Sequence, residues 1–289
     1  MTPPLDGISE ATRRGRQLYD QGLTTVYASR YDPRFSWCLY VPPGLDEPGP
    51  APELIVSVHG TLRDMAHYRQ IFVDFARWNR CIVLSPLFPA GVLGDGNRDG
   101  YKYIAEGSIR YDHVLLAMVD EVCERYRFSF DRFSLFGFSG GGHFAHRMLL
   151  LHPHRLWAVS IGAPGSVTLL DPQRDWWVGT RGMQARFGLS PNLEAMRQVA
   201  IHMVVGGADR EAWEITHREN GRHWVPGAND AGATRPERLE ALRVSLAAHG
   251  IGATLEIVPG VAHNVSGVVE YSKAFFARTL AARRAQPSA

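Results

Sequence analysis

Lysine is almost missing from this 289-residue chain: Lys102 and Lys273 are the only two, so nearly all of its positive charge is arginine. No Lys/Arg-rich run is present, and the net charge is only +2. That balance gives no electrostatic footprint for nucleic acid or for an acidic membrane surface. The three cysteines, Cys38, Cys81 and Cys123, are odd in number and far apart. They provide neither a disulfide framework nor a metal knuckle, and they read as reduced packing residues. No apolar run approaches the length of a membrane span. The stretch from Met1 to Asp20 is charged and lacks the apolar segment of a secretory signal, so a cytoplasmic location is expected. No internal repeat is found. A hydrophobic content of 45% and a charged content of 21% are those of an ordinary globular protein.

What is present is an alternation of short apolar strands and amphipathic helices. Strands are expected at residues 25–28 and 35–41, close enough to be antiparallel. Further strands are expected at 54–58, 81–84, 133–138, 157–161, 201–205 and 254–258. Helices are expected at 68–78, 108–126, 142–151, 236–249 and 268–282. Continuous apolar strands separated by helices imply an α/β fold with a mostly parallel sheet, here eight-stranded, covered on both faces. The whole chain, 1–289, is expected to form one domain. Segments 88–107, 165–192 and 210–235 are too long for simple connections, and each leaves a strand at its C-terminal end. Open α/β sheets place ligands at that edge, so these segments read as pocket-building loops or a small lid.

Gly137-Phe138-Ser139-Gly140-Gly141 lies between an apolar strand and a buried helix. That context turns a bare G-x-S-x-G match into a nucleophile elbow, in which a serine sits on a strained turn and its flanking glycines relieve crowding. A serine hydroxyl needs a base, and the base needs an acid to orient it. After such an elbow the acid comes next in the chain and the histidine last, each on a loop following a strand. Asp209 follows the strand at 201–205 and His263 follows the strand at 254–258. Asp230, in the next loop, is the alternative acid, and Asp209 could instead be a turn former. The oxyanion of acyl transfer needs two donors, expected from the N–H groups of Gly140 and Thr61, with Leu62 the alternative to Thr61. His59, just before Gly60, is expected to brace that loop by hydrogen bonding.

Other residues invite weaker readings. His143 and His146 lie three apart on the helix after the elbow, but no third ligand matches them, so packing or exposure is favoured over metal binding. Trp176, Trp177, Trp213 and Trp224 fall in the long loops. They either anchor those loops or line an acyl or aryl pocket. Arg174, Arg181, Arg186, Arg210, Arg218 and Arg222 share the same loops, and one facing inward would suit a substrate carboxylate.

The chain resembles the α/β-hydrolases, nearest to the esterases related to polyhydroxybutyrate depolymerases and feruloyl esterases. The resemblance runs from about Leu54 to His263 and is carried by Val58-His59-Gly60, by the stretch from Asp131 to Gly141, and by the region from Pro153 to Gly165. The group usually has alanine after the nucleophile, where this chain has Gly140. The resemblance implies a cofactor-free serine esterase with no metal, acting on a small-molecule ester through Ser139, Asp209 and His263. An amidase or peptidase using the same triad, and a non-catalytic binding protein on this scaffold, are the alternatives.

Overall fold

The computed structural model describes residues 9–45 and 49–285. In chain order the strands are β1 (Gly22–Ala28), β2 (Ser36–Val41), β3 (Glu53–Val58), β4 (Cys81–Leu87), β5 (Ala105–Glu106), β6 (Ile109–Arg110), β7 (Phe133–Phe138), β8 (Leu156–Gly162), β9 (Ala200–Gly206) and β10 (Thr254–Val258). Eight of them form one sheet in the order β1-β2-β4-β3-β7-β8-β9-β10, while β5 and β6 make a small hairpin. β2 is antiparallel to both β1 and β4; every other pairing in the large sheet is parallel. The inner strands β3, β7, β8 and β9 are buried on consecutive residues, so both sheet faces are covered. The outermost strands, β1 and β10, keep several exposed positions.

The helices are α1 (Glu10–Tyr19), α2 (Met65–Gln70), α3 (Val73–Asn79), α4 (Tyr111–Tyr126), α5 (Gly140–Leu151), α6 (Met183–Phe187), α7 (Leu193–Arg197), α8 (Arg235–Ala247) and α9 (Val269–Arg284). α5 packs on β7 and β8, α8 on β9 and β10, and α9 on β8 and β9. The single helix expected at 68–78 is broken into α2 and α3. At the break Phe72 is fully buried against Phe136 and Phe276, with ring centroids 5.1 and 6.1 Å away. α4 starts later than expected because the β5–β6 hairpin occupies residues 105–110. α5 starts two residues early, directly after the serine. The sequence pattern also missed α1, which Ser9 caps through the N–H of Thr12.

Crowding at the elbow explains its glycines. A Cβ on Gly137 would lie 2.1 Å from the Gly141 carbonyl oxygen, and one on Gly141 would lie 2.1 Å from the Val58 carbonyl oxygen. Gly140 answers a different neighbour: a Cβ there would meet Tyr101 Oη at 2.1 Å. Tyr101 is 1% exposed and cannot swing away. The glycine that departs from the resembled esterases is therefore matched to a buried tyrosine.

Three histidines brace the loops above the sheet in one pattern. His59 accepts the Phe88 N–H at Nε2 and donates from Nδ1 to the Gly60 carbonyl. His146 accepts the Thr168 N–H and donates to the Gly142 carbonyl. His143 accepts the Gly165 N–H and donates to Ser166 Oγ. Each needs a neutral ring. A fourth buried histidine, His202, contacts Ser160 and stacks on Phe275. Burial holds His59 and His202 down to about 4, and holds His143 and His146 well below their ordinary value.

Two outcomes are expected. Gly140→Ala should cost about 1–3 kcal/mol through overpacking. Tyr101→Phe in the same chain should recover part of that loss, and a Gly140→Ala protein as stable as the parent contradicts the fit. The second concerns acid. In an unfolded chain these histidines bind protons near pH 6.5. The folded protein refuses them until about pH 4 for His59 and His202. The unfolded state therefore binds more protons between those values, and stability should fall as pH drops from about 6.5 toward 4. Denaturant midpoints across that range measure it; a flat profile down to about pH 5 rules it out.

Candidate active site

Ser139 sits between β7 and α5 with φ 57 and ψ −116, a left-handed conformation rare for a residue with a side chain. Holding it there costs of order 1–3 kcal/mol, which the packed elbow must supply. Its N–H donates to the Gly162 carbonyl at 2.8 Å, tying the turn to the end of β8. The loops after β9 and β10 are joined by backbone bonds, from Gly207 N–H to the Val258 carbonyl at 2.8 Å and from Ala208 N–H to the Val261 carbonyl at 2.9 Å. Gly206 permits this approach, since a Cβ there would lie 2.1 Å from the Val261 carbonyl oxygen.

That stitching brings Ser139, Asp209 and His263 together. His263 Nδ1 lies 2.6 Å from Asp209 Oδ2, and Nε2 lies 2.9 Å from Ser139 Oγ. A carboxylate at Nδ1 requires the proton on that nitrogen, so Nε2 is free to accept from the serine hydroxyl. The Phe138 ring lies 4.8 Å from the imidazole, centroid to centroid. Asp230 stands elsewhere, paired with Arg174 at 2.7 Å.

One partner was not anticipated. Arg235, the first residue of α8, is buried and donates from Nη1 to Asp209 Oδ1 at 2.9 Å and from Nη2 to Glu214 Oε2 at 2.6 Å. The Asp209 side chain is 0% exposed and Arg235 2%, whereas Glu214 is 48% exposed. Both oxygens of the buried carboxylate are thus engaged. Pro236 at the next position and the Thr234–Glu237 capping box fix the start of the helix that carries this arginine.

The Gly140 N–H is the first of α5, where donors lack an intrahelical acceptor. Thr61 shares the cleft with Ser139, and its N–H makes no hydrogen bond to a described residue. Arg63 holds this loop, donating to the carbonyls of Thr61 at 2.5 Å, Phe88 at 3.2 Å and Arg98 at 2.5 Å. Leu62 points to solvent, 93% exposed.

Ser139 opens into a cleft of about 420 Å³. Segments 88–107 and 210–235 wall it with Asp99, Lys102, Tyr103 and much of the stretch from Trp213 to His223; segment 165–192 contributes only Gly165. Of the four tryptophans read as loop anchors or pocket walls, Trp213 lines this cleft. Trp177 is buried behind the wall, with its Nε1–H on the His223 carbonyl and its ring 5.4 Å from Tyr103. Trp176 packs edge-on to Phe187, and Trp224 packs on the same small cluster as Trp177. Segment 165–192 folds back on the protein body, and its large rings go with it. Among the six loop arginines, Arg218 and Arg222 line the cleft.

Both ring nitrogens of His143 and of His146 are spent on loop contacts, which leaves no lone pair for a metal. Among the described residues the group best spaced for a metal is Asp112, His113 and His152, on α4 and just beyond α5. Its carboxylate is already gripped by Arg110, with Nε at 2.9 Å and Nη2 at 2.6 Å. A guanidinium in that place opposes a cation.

No protein-family model matches the sequence, and no curated protein matches it. Solved structures do match in fold. A poly(3-hydroxybutyrate) depolymerase from Bordetella parapertussis superposes with a TM-score of 0.71 at 20% identity, covering 93% of this chain and 94% of its own. Poly(aspartic acid) hydrolase-1 from Sphingomonas sp. KT-1 gives 0.67 at 19% identity over 83% of this chain and 92% of its own. An S-formylglutathione hydrolase from Agrobacterium tumefaciens gives 0.56 at 17% identity over 89% and 93%. With its sheet order and these likenesses, the chain has the α/β-hydrolase fold.

Proposed function

We propose that the protein is a serine hydrolase that cleaves a carboxylic ester through an acyl-enzyme. The observation that carries this reading is the hydrogen-bonded chain Ser139–His263–Asp209, with the serine held in a strained turn at the head of α5. Ser139 Oγ attacks the ester carbonyl as His263 Nε2 takes its proton. The N–H groups of Gly140 and Thr61 receive the developing oxyanion. His263 then returns the proton to the departing alcohol. In the second half-reaction it draws a proton from water, the hydroxide attacks the acyl carbon, and His263 passes that proton to Ser139 Oγ as the acid leaves. Asp209 keeps the proton on Nδ1 and stabilises the imidazolium as it forms.

Arg235 holds Asp209 in place and offsets the charge of a carboxylate that is itself shut off from water. Without it the carboxylate would be buried with the imidazole as its only partner. Glu214, half exposed, balances the arginine in turn.

Two tests follow. Ser139→Ala should lower kcat by up to about 10⁶ with the fold intact, and should abolish labelling by a fluorophosphonate. More than a few per cent residual activity in pure variant protein excludes the serine mechanism. Arg235→Met should cost about 3–5 kcal/mol, because removing one partner strands a buried charge. Adding Asp209→Asn should restore much of that stability without restoring activity. If Arg235→Met alone melts like the parent, the clamp carries no weight.

A further inference from the structure

We propose that the cleft selects an ester bearing a free carboxylate remote from the scissile bond, received by Arg218 with Arg222 beside it. The proposal rests on the serine-hydrolase reading and names the substrate class of that same site.

The first observation is what the cleft lacks. Pockets for acyl chains are mostly apolar, whereas here Trp213, Ile215 and Tyr103 share the lining with many charged and polar side chains. Four cations line it, Lys102, Arg218, Arg222 and Arg235, against the carboxylates Asp99 and Glu214. Three of the four are paired: Lys102 with Asp99 at 2.7 Å, Arg222 with Asp95 at 2.6 Å, and Arg235 with Asp209 and Glu214. Arg218 has no side-chain hydrogen bond or ion pair among the described residues, although Ser139 and Arg218 wall the same cavity.

The second observation lies behind the wall. Arg147 is 0% exposed and Arg238 1%, and neither meets a carboxylate. Arg147 donates to the Lys102 carbonyl, to Thr168 Oγ1 at 3.0 Å and to Ser166 Oγ at 3.1 Å, with Tyr103 and Trp177 against its face. Arg238 donates to the carbonyls of Gly165, Gly232 and Ile215. Burial lowers both only to about 10, so both stay charged at neutral pH. Lys102, Gly165 and Ile215, which supply their acceptors, line the cleft. Neither charge is held in an ion pair, although Glu237 offsets part of that on Arg238, so both add positive potential to the cleft, and a low-dielectric wall screens it weakly. His217 in the same wall is held down to about 4, by burial first and then by Arg238 and Arg147, so it adds no charge of its own.

The cleft's own charges balance only when the partners Asp95 and Asp209 are counted, and the two buried cations behind it lack ion pairs, so an anion completes it. One unpaired guanidinium suits a single negative charge, and its fork matches a carboxylate. The Arg222–Asp95 pair is half exposed on both sides and weakly held, so Arg222 can exchange partners when an anion enters.

The test compares mono-4-nitrophenyl adipate with 4-nitrophenyl hexanoate, which differ by a terminal carboxylate in place of a methyl. The ratio of kcat/KM, adipate over hexanoate, should be about 10 or more at low salt and fall as salt rises. Arg218→Gln should lower the ratio about tenfold, and Asp95→Asn, which frees Arg222, should raise it. A ratio of one or less, or a ratio unmoved by Arg218→Gln, overturns the proposal. Failure to turn over either ester overturns it as well. Fluorophosphonate labelling of Ser139 then decides the wider question: labelled protein keeps the hydrolase reading, and unlabelled protein loses both.

Discussion

Backbone packed on backbone at the C-terminal edge of the sheet is the constraint on which the rest depends. Carbonyls of Val58, Gly141 and Val261 lie where a Cβ on Gly141, Gly137 and Gly206 would be, each about 2.1 Å from the position of the missing atom. Strand ends that close cannot accept a side chain between them. The strained Ser139 turn, the shared loops after β9 and β10, and the position of α5 all follow from that contact. A single added methyl group at any of these glycines would push apart elements that must stay within hydrogen-bonding reach of one another. The tolerance is small because interiors are packed like crystals and have nowhere to put the displaced volume.

Residues whose placement is fixed by local chain geometry were legible in the sequence. Ser139 announces itself through a strand, a glycine turn and a helix; Asp209 and His263 follow from being first in line after their strands. The histidine before Gly60 was readable as a brace for the same reason. Arg235 was not legible, because nothing local marks it. It lies 26 residues beyond Asp209 in the chain, at the start of a helix, and only the packing of α8 turns its side chain inward. The tryptophans were ambiguous for a related reason. A large ring in a loop buries itself wherever the loop finds apolar surface, and for Trp176 and Trp177 that surface was the protein body rather than the cleft. The broken helix at Phe72 and the late start of α4 are likewise decided by tertiary neighbours that override periodicity.

Arginine and histidine share the polar work around the cleft, in complementary states. His59, His143 and His146 are neutral and use both ring nitrogens, one accepting a loop N–H and one donating, so each joins two stretches of chain. The buried arginines are charged and donate only. Arg147 joins the Lys102 carbonyl to Ser166 and Thr168, and Arg238 joins Gly165 to Ile215 and Gly232. The long loops are tied to the body in this way, because each bond ends on a carbonyl or hydroxyl of another stretch of chain.

This division of labour gives the scarcity of lysine a physical meaning at the site. A lysine at 147 would place one ammonium where a planar fork now spans Thr168, Ser166 and the Lys102 carbonyl, and it could not lie flat between Tyr103 and Trp177. It would also shed its proton more readily when buried, and the charge would be lost. Arginine stays ionised at that depth, so the same residue that fixes the wall also fixes its potential. Structure and electrostatics at this cleft are therefore set by one type of side chain. A substitution that preserved the bonds but removed the charge would separate the two, leaving a cleft of the same shape with less attraction for an anion.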